Sequence, residues 1–203
     1  MKKIFRVALI TACFVGVLGM TACGKKDDDK TTTTTPEATT TEAPTTTPEP
    51  TTTLPAPTLN EIHEAVRNAY GENYLPNMPL DSELLANLKT IPADLYSEFI
   101  AEMPMISTNA DEFMAFKAAE GKADALEAAL NAYKDYLINE SFQYPVNKVR
   151  VQASEVIRHG DYLFFVLLGP VDMETQEKGD DAILQAAKDG VKIGVDVING
   201  FFN

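Results

Sequence analysis

The chain has 203 residues and carries 17 Lys and Arg against 30 Asp and Glu, a formal net charge of −13 at neutral pH. That balance argues against nucleic acid as a partner, because binding it takes a cationic surface that displaces phosphate counterions. It also disfavours close docking on an anionic bilayer, and such acidity reads by default as a device for solubility.

The chain opens with Lys2, Lys3 and Arg6, followed over residues 7–22 by an uncharged, largely apolar run. A basic start, a short apolar segment and small residues before a cleavage point are the layout of a secretory signal. The run falls short of the roughly 20 residues a helix needs to cross a bilayer. Met20-Thr21-Ala22-Cys23 resembles the lipobox of bacterial lipoproteins, although Met20 stands where that motif more often has Leu. The resemblance implies cleavage after residue 22, acylation of Cys23 and attachment to the cell membrane on its extracytoplasmic side. Cys13, the other of the two cysteines, would leave with the signal. Residues 24–203 contain no cysteine, so disulfides, thiolate metal sites and a cysteine nucleophile are excluded there. Residues 24–57 hold fourteen threonines and six prolines, a composition that buries too little apolar surface to offset its ordering entropy. With the lipidated cysteine, residues 23–57 are expected to form a disordered Thr/Pro stalk, extended by its prolines, and the composition permits O-glycosylation.

Residues 58–203, with 11 basic and 24 acidic side chains, have the size of one ordinary domain. LNEIHEAVRNAY is expected to form a helix. Leu59, Ile62, Val66 and Ala69 lie at helical spacing, Thr58 or Asn60 can cap it and Gly71 can stop it. After a loop with two prolines comes a shorter helix, SELLANLK, capped by Asp81 or Ser82. Two extended segments follow, over residues 95–103 and 112–118, separated by turn formers. GKADALEAALNAYKDYLIN is an amphipathic helix with Leu126, Leu130, Tyr133 and Leu137 on one stripe. VNKVRVQASEVIRHGDYLFFVLLG reads as a hairpin. Val149, Val151 and Ala153 alternate with polar residues, His159-Gly160 makes the turn, and residues 162–168 form a central strand covered on both faces. At the C-terminus, Leu184, Ala187, Val191, Val195 and Ile198 fit a helix opened by Asp180 and Asp181, while VKIGVDV also alternates like a strand. Helix is the reading taken, even though Gly190 and Gly194 would each cost it about 1 kcal/mol. The expected class is α+β: N-terminal helices, two strands, a long helix, a closing hairpin and a C-terminal helix, with one small sheet packed on helices.

Three stretches carry a family resemblance: AYGENYLPNMPLD, EFIAEMPMISTNADEFMAFKAAEGKADALEAAL and YPVNKVRVQASEVIRHGDYLFFVLLG. They are similar to domain-of-unknown-function family 4358, over about residues 59–169. The resemblance implies a lipoprotein of Gram-positive anaerobes and the same α+β order, and it brings no catalytic residues.

Motifs for chemistry are sparse. His63-Glu64-Ala65-Val66-Arg67 begins like a zinc-protease helix, but Arg67 replaces the second histidine that would let one helix face hold a metal. His63 is therefore read as an exposed residue on a polar helix face. No G-x-S-x-G elbow or phosphate-cradling glycine loop is present, and no cofactor or metal is assigned. DMETQEKGDD, residues 172–181, gathers five carboxylates without the glycine or the final glutamate of a calcium loop, and it reads as a solvated linker and helix cap. Tyr70, Tyr74, Pro76, Asn77 and Met78 could line a recognition surface or plug one edge of the core. The sequence points to a non-enzymatic protein-interaction or adaptor module of the cell envelope. The alternatives are a small-ligand-binding lipoprotein serving a transporter, or an envelope enzyme.

Overall fold

A computed structural model describes residues 56–106 and 108–203. The expected signal peptide, Cys23 and all of the expected stalk except Ala56 and Pro57 lie outside the described residues.

The first helix, α1 (Leu59–Tyr70), is nucleated by a reciprocal cap. The Thr58 hydroxyl accepts from the Glu61 amide, and the Glu61 carboxylate accepts from the Thr58 amide at 2.8 Å. It ends at Gly71, whose φ of 56° is costly for any residue with a Cβ. Its buried face is Leu59, Ile62, His63, Val66 and Tyr70, so Tyr70 rather than Ala69 completes the stripe. A two-residue strand, β1 (Met78–Pro79), leads to α2 (Ser82–Lys89), capped by Asp81. The strands β2 (Tyr96–Met103) and β3 (Glu112–Ala118) and the helix α3 (Ala123–Asn139) match the sequence expectation closely.

The expected first strand of the closing hairpin is corrected. Residues 145–150 form a short helix, α4 (Pro145–Arg150), continued by a 3-10 turn over Val151–Ala153. The proline at its first position pre-sets the helical φ. The alternation of Val149, Val151 and Ala153 arises because this helical segment buries Asn147, Val149, Arg150, Val151 and Ala153 together. The strand β4 is only Glu155–His159. It pairs with β5 (Tyr162–Leu167) so that His159 lies opposite Tyr162. The turn is thus Gly160-Asp161 rather than His159-Gly160, with Gly160 supplying the positive φ of 62°. The short helix α5 (Met173–Glu177), capped by Asp172, and the long helix α6 (Asp180–Gly200) complete the chain. The acidic stretch, expected as a solvated linker and helix cap, does cap α5 through Asp172, and residues 173–177 of it are helical.

The fold is α+β. Its single antiparallel sheet has the order β1-β2-β3-β5-β4, with α1 and α6 on one face and α3 on the other. Central strands β3 and β5 bury Phe113, Phe116, Phe164 and Phe165 completely. Alternate side chains point to opposite faces: Phe113 stacks on His63 of α1, and Phe165 meets Tyr133 of α3. The chain enters at the end of the sheet where the Tyr162 hydroxyl donates to the Pro57 carbonyl. The 74–80, 104–106, 108–111, 140–147 and 168–181 segments gather at the opposite end.

Candidate interaction surface

Three buried or half-buried polar clusters hold this opposite end together. At the start of β3, successive residues point to opposite faces of the sheet, and each is charged. Glu112 accepts from Lys89 Nζ at 2.5 Å and from the Tyr133 hydroxyl at 2.8 Å. Lys89, Glu112 and Tyr133 are all buried, so α2, β3 and α3 are joined by a closed polar contact. Burial, and then the neighbouring Glu112 charge, drive the Tyr133 hydroxyl far above the usual phenol range. On the other face, Asp111 pairs with Arg150 of α4. Arg150 also donates to the Gly169 carbonyl at 2.9 Å and lies 3.4 Å from the Asn147 side-chain oxygen. Asn147 in turn donates to the Thr108 carbonyl at 2.9 Å. One guanidinium therefore binds the β2–β3 loop, α4 and the exit of β5. Desolvation raises the Asp111 pKa despite the opposing effect of Arg150.

The third cluster contains His63. Sequence reasoning placed it on an exposed face, and the structure corrects this: it is 8 % exposed. Its Nε2 lies 3.0 Å from Glu102 and 3.2 Å from the Tyr74 hydroxyl, which itself donates to Glu102 at 2.9 Å. Its position on the α1 stripe between Ile62 and Val66 makes it inward-facing, and the complementary carboxylate sits on β2, 39 residues away. A histidine–carboxylate pair can orient a base, but no serine or threonine hydroxyl bonds to His63 among the described residues. What the geometry does is staple α1, the 70s loop and β2 together.

The residues read from the sequence as a recognition surface divide by burial. Tyr70 is buried, donating to the Gly190 carbonyl at 2.7 Å and accepting from the Gly194 amide at 3.0 Å. Burial pushes its hydroxyl up to about 12. Pro76 is buried, Tyr74 and Met78 are half-buried, and Asn77 is exposed. Asn77 links this segment to the β2–β3 loop, its side-chain oxygen accepting from the Met105 amide at 2.9 Å.

Beyond Asn77 the surface becomes apolar. Met105 is 73 % exposed, Ile106 65 %, Phe142 96 % and Met173 71 %, and half-exposed Tyr144 lies two residues after Phe142. These five are most of the large apolar side chains that stand in solvent among the described residues, and all lie at this one end of the sheet. The segments 73–80, 104–110 and 141–147 contain no Asp, Glu, Lys or Arg, in a domain where nearly a quarter of residues are charged. These uncharged stretches are far apart in the chain, and only the fold brings them to one end of the sheet. A hollow of about 440 Å³ lies on the flank of this rim, lined by Tyr144, Pro145, Val146, Gln176, Asp180 and Ile183. The carboxylates beside it do not converge on a point. Asp172 caps α5, Glu174 pairs with Lys178, and Asp180 and Asp181 occupy the first turn of α6.

Residues 69–168 match the family model described as Domain of unknown function (DUF4358). The match runs from the end of α1 through β5 and leaves α6 outside. No curated protein and no solved structure matches the chain.

Proposed function

We propose that this chain, which carries a DUF4358 domain over residues 69–168, is a membrane-anchored lipoprotein whose extracytoplasmic domain is a non-enzymatic protein-interaction module. The anchor is the acylated Cys23, supported by the basic start, the short apolar run and the Met-Thr-Ala-Cys sequence ahead of a polar stretch. Among the described residues no helix is long and apolar enough to cross a membrane. The observation that carries the interaction role is the apolar rim of Met105, Ile106, Phe142, Tyr144 and Met173. Exposed apolar side chains gathered at one end of an otherwise charged protein support an interaction site. The rim lies at the end of the sheet opposite Pro57.

Two measurements test this reading. Cys23→Ser is expected to move the protein from the membrane fraction to the soluble extracytoplasmic fraction, and retention in the membrane would remove the anchor from the reading. A photo-crosslinking residue at position 142 is expected to capture one discrete protein in the producing cells, and the same residue at position 98 is expected to capture none. Equal labelling from both positions, or none from either, would overturn the interaction role.

A further inference from the structure

The acidic stretch 172–181 has no role in any chemistry described above, yet it borders the apolar rim. Met173 stands in solvent on α5, and Asp180 lines the same hollow as Tyr144 and Val146. Glu177, Asp180 and Asp181 are exposed and make no ion pair among the described residues. Asp180 and Asp181 complement the positive end of the α6 dipole, which leaves their outward carboxylate oxygens free to meet a second cation. An apolar centre with methionines at its edge and carboxylates along one side is the complement of a basic amphipathic helix. Such a helix lays its apolar stripe against the apolar side chains and its lysines over the acidic border.

Resting on the interaction-module reading, we propose that the rim docks a basic amphipathic helix of a partner protein, apolar face on Ile106 and Phe142 and cationic face over Glu177, Asp180 and Asp181. Charge decides between this occupant and its rivals. A second copy of the chain would bring another net −13 against the same acidic border. An anionic bilayer is repelled in the same way. A cationic helix is attracted by the whole domain and oriented by the local border.

The test uses the chain carrying Cys23→Ser and a labelled Lys/Leu peptide of about 18 residues, with leucines at i, i+3, i+4 and i+7. A Glu/Leu peptide of the same pattern is the control. Fluorescence anisotropy is expected to show binding of the Lys/Leu peptide alone. Ile106→Asp and Phe142→Asp, both at exposed positions, are each expected to weaken binding roughly tenfold. The Asp180→Asn/Asp181→Asn pair is expected to weaken it several-fold and to flatten its salt dependence. Asp94→Asn/Glu98→Gln, at the other end of the sheet, is expected to leave it unchanged.

Equal loss from the two charge pairs would mean diffuse attraction by an acidic domain, and it would overturn the site. Indifference to Ile106→Asp and Phe142→Asp would overturn it as well. Attachment to phosphatidylcholine vesicles that Phe142→Asp abolishes would assign the rim to lipid instead. A crosslinked partner at position 142 without any Lys/Leu binding would refute the basic helix and leave the interaction module standing. Absence of that crosslink in cells would refute the module itself.

Discussion

Gly190 and Gly194 look like faults in a helix when read in sequence, and both are contact points in the fold. A Cβ on Gly190 would lie 3.1 Å from the Leu168 carbonyl oxygen and 3.3 Å from the Gly169 Cα. Those neighbours are backbone at the exit of the central strand β5, so they cannot rotate away. A Cβ on Gly194 would crowd the Tyr70 hydroxyl at 3.0 Å. Gly190→Ala is therefore expected to destabilise by about 1–3 kcal/mol through overpacking, although alanine is the better helix former by about 1 kcal/mol. Gly200, at the end of the same helix, faces open space, and Gly200→Ala is expected to be neutral or stabilising by less than about 1 kcal/mol. Urea unfolding of the two variants decides the matter; a higher midpoint for Gly190→Ala would show that the α6–β5 contact is slack. The same scale explains His63. Its neighbours Ile62 and Val66 announced the buried face, but Glu102, which makes burial of an imidazole tolerable, is brought to it only by the pairing of α1 with β2.

Among the elements, α1 shows how far local chemistry reaches. Thr58, Glu61 and Gly71 specify both of its ends through interactions spanning three or four residues; Thr58 or Asn60 as the cap and Gly71 as the stop were read from the sequence. Thr58→Ala is expected to cost about 1 kcal/mol. The Glu61 pKa is lowered, chiefly by the Thr58 amide and then by the Thr58 hydroxyl. A carboxylate with a depressed folded-state pKa contributes stability that is present above its unfolded value, near 4.3, and lost as pH falls through the folded value. Urea midpoints of the natural chain and Glu61→Gln are thus expected to differ at pH 7 and to converge as pH falls through the depressed folded value; a gap independent of pH would contradict the cap. The α4–β4 region shows the opposite case. VNKVRVQA carries β-branched residues in alternation, and local preference favours a strand. The segment is helical because Arg150 must reach Asp111 and Gly169 while Asn147 reaches Thr108. Those partners lie 19 to 39 residues away, beyond the range of any pattern in the segment itself.

At the scale of the whole molecule, the Asp111–Arg150 contact joins the sheet to the loops that carry the apolar rim. Breaking a buried pair by removing one partner costs about 3–5 kcal/mol, because a charge is left behind. Arg150→Met is expected to lose that much at pH 7 and to speed amide hydrogen exchange in residues 104–111 and 168–172 before the central strands β3 and β5. Without the guanidinium, which lowers the Asp111 pKa, desolvation raises its folded-state pKa further above the unfolded value. The folded state then holds its proton more tightly, so the variant's stability is expected to recover as pH falls toward the unfolded pKa near 3.9. Arg150→Met/Asp111→Leu is expected to regain much of the loss at pH 7. A double variant no better than Arg150→Met would show that the hydrogen bonds of Arg150 to the loops, rather than the charge pair, hold this end of the domain.

Within the domain, the sequence by itself determined the α+β class, the two long helices, strands β2 and β3 and the central character of β5. Each of these rests on periodicity, capping or turn chemistry that acts over a few residues. It also showed which catalytic motifs are missing. Only the tertiary structure decided that residues 145–153 are helical, that His63 is buried against Glu102, and that Lys89, Glu112 and Tyr133 meet inside. It also brought Ile106 and Phe142, 36 positions apart in the chain, to one end of the sheet. The physical reason is the same in each case. A buried polar group is set by a partner distant in the chain, and an exposed apolar side chain is conspicuous only once the folded surface around it exists.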